Sequence, residues 1–157
     1  MLLENHIAAV TGAGSGIGRS IAMGYAREGA RVVALDVNAD AASETTQQIL
    51  NAGGKADSFT LDVTDREACR KVAAEVAAKA GNISILVNNA GINRRTAFTG
   101  DRDAVVKDWQ DVIGINLIGV FNVTHAFVDQ LCATKGRIVN IGSIQSFVHV
   151  RTPNSAV

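Results

Sequence analysis

One stretch of the chain stands out for what it could do chemically. Thr11-Gly12-Ala13-Gly14-Ser15-Gly16-Ile17-Gly18 lies between a short apolar run and a helical stretch. So much glycine lets the backbone approach a pyrophosphate, which would also sit on the positive end of the following helix. The dinucleotide pattern G-x-G-x-x-G, started at Gly12, requires a glycine where Ile17 stands. The phosphate-loop pattern G-x-x-x-x-G-K-[ST] fails twice, at Ala13 and Arg19, and nucleoside triphosphate hydrolysis goes with it. What the loop does satisfy is Gly-x-x-x-Gly-x-Gly, through Gly12, Gly16 and Gly18. Asp36 ends the next apolar run, where a carboxylate accepts both ribose hydroxyls of an adenosine. It would repel a 2′-phosphate, and the loop carries no Lys or Arg to attract one, so the expected cofactor is NAD rather than NADP. A third group, Ser143, follows the apolar run Arg137–Ile141 at what reads as an active-site edge.

These residues must be positioned by alternating strands and helices. His6–Val10 reads as a buried strand, and about Ile17 to Glu28 as a helix closed by Gly29. Arg31–Leu35 is a second strand, about Asp40 to Asn51 a helix, and Ser58–Leu61 a third strand. Thr64 and Glu67 form a capping box for a helix whose Cys69, Val72 and Val76 share one face. Ile83–Val87 is a fourth strand, a long helix runs around Trp109 to Leu131 and ends at Gly136, and Arg137–Ile141 is the fifth strand. Nearly continuous Val/Ile/Leu strands alternating with helices predict an α/β fold. Its sheet is a doubly wound parallel one of Rossmann type with five strands, in a single domain over residues 1–157.

Composition narrows the partners. Lys+Arg and Asp+Glu are both 15, and aromatic residues are 4%, so neither charge nor stacking surface points to nucleic acid. Cys69 and Cys132 match no metal spacing and read as small apolar residues on helix faces. The first apolar run is too short for a signal peptide or a membrane span, so a cytoplasmic protein with no membrane partner is expected.

Three further stretches sharpen the reading: Asp62-Val63, Asn88-Asn89-Ala90-Gly91, and Asn116-Leu117-Ile118-Gly119-Val120-Phe121. Together with Thr11–Gly18 and Ser143, in this order, the chain resembles the short-chain dehydrogenase/reductase family over essentially its whole length. The resemblance implies hydride transfer between a nicotinamide and a carbonyl or alcohol carbon. It implies that Ser15 and Ile17 line the pyrophosphate with the loop glycines, and that Asp62 and Val63 border the adenine. Asn89, Ala90 and Gly91 would pack beside the adenosine ribose, Asn116 would hold a water in the proton relay, and Ser143 would bind the substrate oxygen. The run Asn93-Arg94-Arg95 is similar to one in the family's sugar-acid dehydrogenases, where an arginine meets a carboxylate. A 3-oxoacyl thioester reductase is the rival, disfavoured by Asp36 because that role goes with NADP.

The family's proton is handled by a tyrosine with a lysine four residues on, a little over a dozen residues beyond the serine. Ala156 and Val157 occupy that region here, and the single tyrosine, Tyr25, is followed four residues later by Gly29. A phenol near its ordinary pKa of about 10 is a poor proton shuttle at neutral pH. The expectations are therefore a C-terminally truncated view of a longer enzyme, and a 157-residue chain that binds the dinucleotide without turnover. The family's C-terminal strands and the helix beside the long one would be absent. Arg137–Ile141 would then be an exposed apolar edge, favouring a homo-oligomer.

Overall fold

The computed structural model describes residues 1–144. Its sheet contains β1 (Ile7–Thr11), β2 (Arg31–Asp36), β3 (Lys55–Thr60), β4 (Ile85–Asn88) and β5 (Arg137–Asn140), all parallel, in the order β3-β2-β1-β4-β5. The helices are α1 (Gly16–Arg27), α2 (Ala39–Asn51), α3 (Arg66–Lys79), α4 (Arg102–Ile113) and α5 (Val120–Thr134). The doubly wound sheet read from the sequence is the one observed.

Alternation along the strands builds two cores. Ala9, Val33, Leu35 and Leu86 meet Val72 and Val76 of α3 and Val123, Phe127 and Leu131 of α5 on one face. Ala8, Val10, Val32 and Ala34 meet Ala22 of α1 and Ile49 of α2 on the other. The chain moves from β1 to β2 and β3 on one side, then returns to place β4 and β5 on the other. Strand order thus reverses beside β1, which opens a crevice at the carboxyl ends of β1 and β4.

Several local expectations are corrected. Thr64 does not cap α3: the Asp62 carboxylate accepts from both its N–H (2.9 Å) and its hydroxyl (2.7 Å). Asp65 caps instead, accepting from Ala68 N–H at 2.9 Å. The long helix starts at Arg102, capped by Asp101, and continues through a π-helical turn at Gly114–Gly119 into α5. Its left-handed terminal residue is Lys135 (φ 53°), with Gly136 following. β5, by contrast, is the exposed apolar edge that was expected: it is an edge strand among the described residues, with Ile138 and Val139 exposed. Cys69 is buried, and burial pushes its thiol up to about 11, whereas Cys132 is exposed. By length and composition the helical run Arg102–Thr134 could cross a membrane, but Val123, Phe127 and Leu131 on it are buried against the sheet.

At the amino end of the sheet, Asp57 of β3 is paired with Arg31 of β2 (2.8 Å) and with Lys79 at the end of α3 (3.0 Å). Burial alone would raise the Asp57 carboxyl. The hydrogen bonds and charges of Lys79 and Arg31 outweigh it and hold the group below its ordinary 3.8. A depressed folded-state pKa stabilises fully above the ordinary value and is lost as pH falls through the depressed one. Asp57→Asn should therefore cost roughly 1–3 kcal/mol at neutral pH. Urea melts at successive pH values should show that deficit shrinking as pH drops below the ordinary carboxylate range, and a constant deficit would sink the assignment.

Candidate functional site

A cleft of about 490 Å³ opens at the carboxyl ends of β1, β2 and β4. Its floor is set by one hydroxyl. Thr11 Oγ1 accepts from the N–H groups of Asn89 (2.9 Å) and Ala90 (3.0 Å) and lies 3.4 Å from the Val87 carbonyl, to which it donates. The Asn89 amide returns the connection, donating to the Thr11 carbonyl at 3.0 Å. β1 and β4 are thereby tied together just where they separate.

The glycine loop runs from this tie into α1. Gly16 has φ 51°, and the space its missing side chain leaves is open. A Cβ on Gly18 would overlap the Gly12 carbonyl oxygen, so only glycine lets α1 start this close to the loop. Ser15 precedes the helix without capping it through its side chain, and the first turn carries no acid. Gly16, Ile17 and Gly18 thus bring uncapped N–H groups and the positive end of the helix dipole to the cleft wall. This is the donor set a pyrophosphate requires.

Asp36 forms the rim. Its Oδ2 accepts from Gly14 N–H (2.8 Å) and its Oδ1 from Asn38 N–H (2.9 Å), which fixes the carboxylate and leaves lone pairs for further donors. Arg19, which entered the sequence reading only as a mismatch to the phosphate-loop lysine, folds back from α1 onto the Gly14 carbonyl (Nε 3.1 Å) and pairs with Glu44 at 2.9 Å. Asp62 and Val63 line the opposite wall, and Asn89, Ala90 and Gly91 close the end nearest β4. Each residue assigned to the cofactor from the sequence therefore borders this one cleft. Ile92 and Ile115 join them without having been foreseen; their only signal was adjacency to Gly91 and Asn116.

Asn116 sits in the π-helical turn and spends its side chain on the segment after β4. Its Oδ1 accepts from Ile92 N–H and its Nδ2 donates to Ile92 carbonyl, both at 2.9 Å. Asn88 donates to Thr124 (3.0 Å) and to Asn140 (2.9 Å), tying β4 to α5 and β5. Ser143 is exposed, three positions past the end of β5; Ser146, a second hydroxyl in the same stretch of sequence and a weaker candidate for the same role, lies outside the described residues. Tyr25 packs against the α1–α2 core and does not line the cleft. Arg94 is committed to Asp108 (3.8 Å) and Asp111 (3.4 Å). Arg95 is exposed and makes no ion pair among the described residues. No cluster of metal-ligating side chains occurs among the described residues.

The family model for short chain dehydrogenases matches residues 6–154. This chain belongs to that family. Among its relatives is the 3-oxoacyl-[acyl-carrier-protein] reductase of Thermotoga maritima, 39% identical over 145 residues, covering 92% of this chain and 58% of that protein. The D-threitol dehydrogenase of Mycolicibacterium smegmatis is 39% identical over 142 residues, covering 90% and 54%. A gluconate 5-dehydrogenase from Burkholderia cenocepacia, solved with NADP and tartrate, superposes with a TM-score of 0.87 at 37% identity, covering 98% of this chain and 59% of that one. This chain thus spans a little over half the length of these relatives.

The Thr11 tie yields a direct expectation. Thr11→Val keeps the shape but strands the Asn89 and Ala90 N–H groups, at ~1–3 kcal/mol for each left without a partner. Thr11→Ser should retain most of the stability in urea melts. Equal stabilities for the two variants would show that the hydroxyl does not hold the strands.

Proposed function

We propose that this chain binds a nicotinamide dinucleotide in the cleft and belongs to an oxidoreductase acting on a carbonyl or alcohol substrate. The observation that carries this reading is the convergence of the uncapped α1 start, the Asp36 carboxylate and the Asp62–Val63 wall on one cleft. Its volume lies within the range of small-molecule sites. A bound nicotinamide would supply or accept the hydride. The chain's own residues would hold the pyrophosphate on the first turn of α1, the adenosine ribose on Asp36 and the substrate oxygen on Ser143, while Asn116 holds the wall beneath. Asn116 would serve the proton relay through its backbone, because both ends of its amide are engaged by Ile92.

NAD is the favoured form. Asp36 is held at the rim by two N–H groups, and a 2′-phosphate would meet its charge. The cation that touches the same loop, Arg19, is already matched by Glu44. The Burkholderia relative was solved with NADP, so the choice rests on Asp36 in this chain. A sugar acid is the favoured substrate class, and its carboxylate would be received by Arg95, since Arg94 is engaged by two aspartates. By the family resemblance, a tyrosine paired with a lysine four residues on would complete the proton transfer. The favoured state is a cytoplasmic homo-oligomer that associates through exposed Leu117, Phe121 and Ile138.

Asp36→Ala should weaken NADH binding by roughly tenfold and narrow the preference over NADPH. Fluorescence titration of both nucleotides reads this directly, and unchanged affinities would refute the role of Asp36. In a longer chain that turns substrate over, Ser143→Ala should abolish most turnover while leaving NADH affinity intact.

A further inference from the structure

Asn122 was not singled out by any motif, yet it is a buried amide, 5% exposed, on the α5 face turned toward the cleft wall. Its Nδ2 lies 3.1 Å from the Val63 carbonyl and 3.3 Å from the Thr64 carbonyl, donating to both. Both residues follow Asp62 directly: Val63 lines the cleft opposite the glycine loop, and Thr64 continues the same turn behind it. The same turn is pressed from below at a second point. A Cβ on Gly119 would stand 2.6 Å from Val63 Cγ2, so glycine at the end of the π-helical turn allows α5 to reach this wall. Asp62 then locks the turn from above through the Thr64 N–H and hydroxyl.

We infer that Asn122 is a positioning residue for the adenine end of the cleft, setting the height of the Asp62–Val63 wall through the Val63 and Thr64 carbonyls. This rests on the dinucleotide reading above. The wall is an irregular segment after β3, with no ladder partner to hold its carbonyls. A buried carbonyl needs a donor, and an amide on the neighbouring helix supplies both from one nitrogen. An apolar residue of similar size would leave the Val63 carbonyl with only the weak Cys69 thiol donor at 3.7 Å and take the amide from the part-buried Thr64 carbonyl, so the turn would move toward solvent to regain water. The adenine would lose its flat support while the pyrophosphate loop and the Asn116–Ile92 pair stayed in place.

The test is isothermal titration of AMP and of nicotinamide mononucleotide to the full chain and to Asn122→Leu, with thermal melts alongside. The expected result is about tenfold weaker AMP binding with unchanged binding of nicotinamide mononucleotide. A purely structural role would lower the melting temperature, or weaken both ligands together, without this split, and that outcome overturns the inference. Unchanged AMP affinity overturns it as well. If wild-type protein binds neither AMP nor NADH, the dinucleotide reading itself fails, which is a separate result. Should Asn122→Leu lack a cooperative melt, Asn122→Ser, which shortens the side chain without adding bulk, takes its place with the same arms.

Discussion

The cleft depends on the threonine hydroxyl at the end of β1. In a doubly wound sheet the strands on either side of the reversal are connected in opposite directions, so the segments leaving them diverge. Divergence strips the last residues of ladder partners, and buried N–H groups without partners are costly. Thr11 Oγ1 takes two of them, from Asn89 and Ala90, and the Asn89 amide answers on the Thr11 carbonyl. The crevice stays open because its base is bonded shut.

From that base the walls are held by side-chain amides. Asn88 ties β4 to Thr124 and Asn140, Asn116 closes on both the backbone N–H and the carbonyl of Ile92, and Asn122 reaches Val63 and Thr64. An amide carries donors and an acceptor without charge, so it can satisfy buried peptides without the desolvation cost of an ion. The polar residues around this cleft thus serve mainly to hold backbone, and the donors offered to a ligand are largely peptide N–H groups. Such a site is pre-organised, since little has to reorient when an anion arrives.

The two faces of the sheet carry different loads. The α1–α2 side is packed with alanines and short aliphatic residues, which brings α1 close and lets the glycine loop turn tightly. The α3–α5 side holds the larger Phe127, Leu131 and Val76. Here the long helix buries one stripe and leaves Leu117, Phe121 and Val128 exposed beside the edge strand β5. The helix is apolar on both stripes, so its composition resembles that of a membrane span, while its buried stripe packs on the sheet as part of the core.

Element types and their order were legible because period-2 and period-3.6 patterns, closed by Gly29 and Gly53-Gly54, are local signals. The glycine loop, Asp36, Asp62-Val63 and Asn89-Ala90-Gly91 were legible for the same reason, as each sits at a strand end where the chain must turn. Other features depended on partners far along the chain. The α3 cap passed to Asp65 because Asp62 captured Thr64, a competition that residue spacing does not rank. Arg19 and Asn122 carry no motif, since each gains its meaning from a carbonyl that only folding brings within reach, Gly14 for one and Val63 for the other. The sequence by itself determined the strands, the helices and the chemistry offered at the strand ends. Which amide supports which peptide, and so the shape of the cleft, was decided by tertiary structure, because hydrogen bonds between distant segments have no period to read.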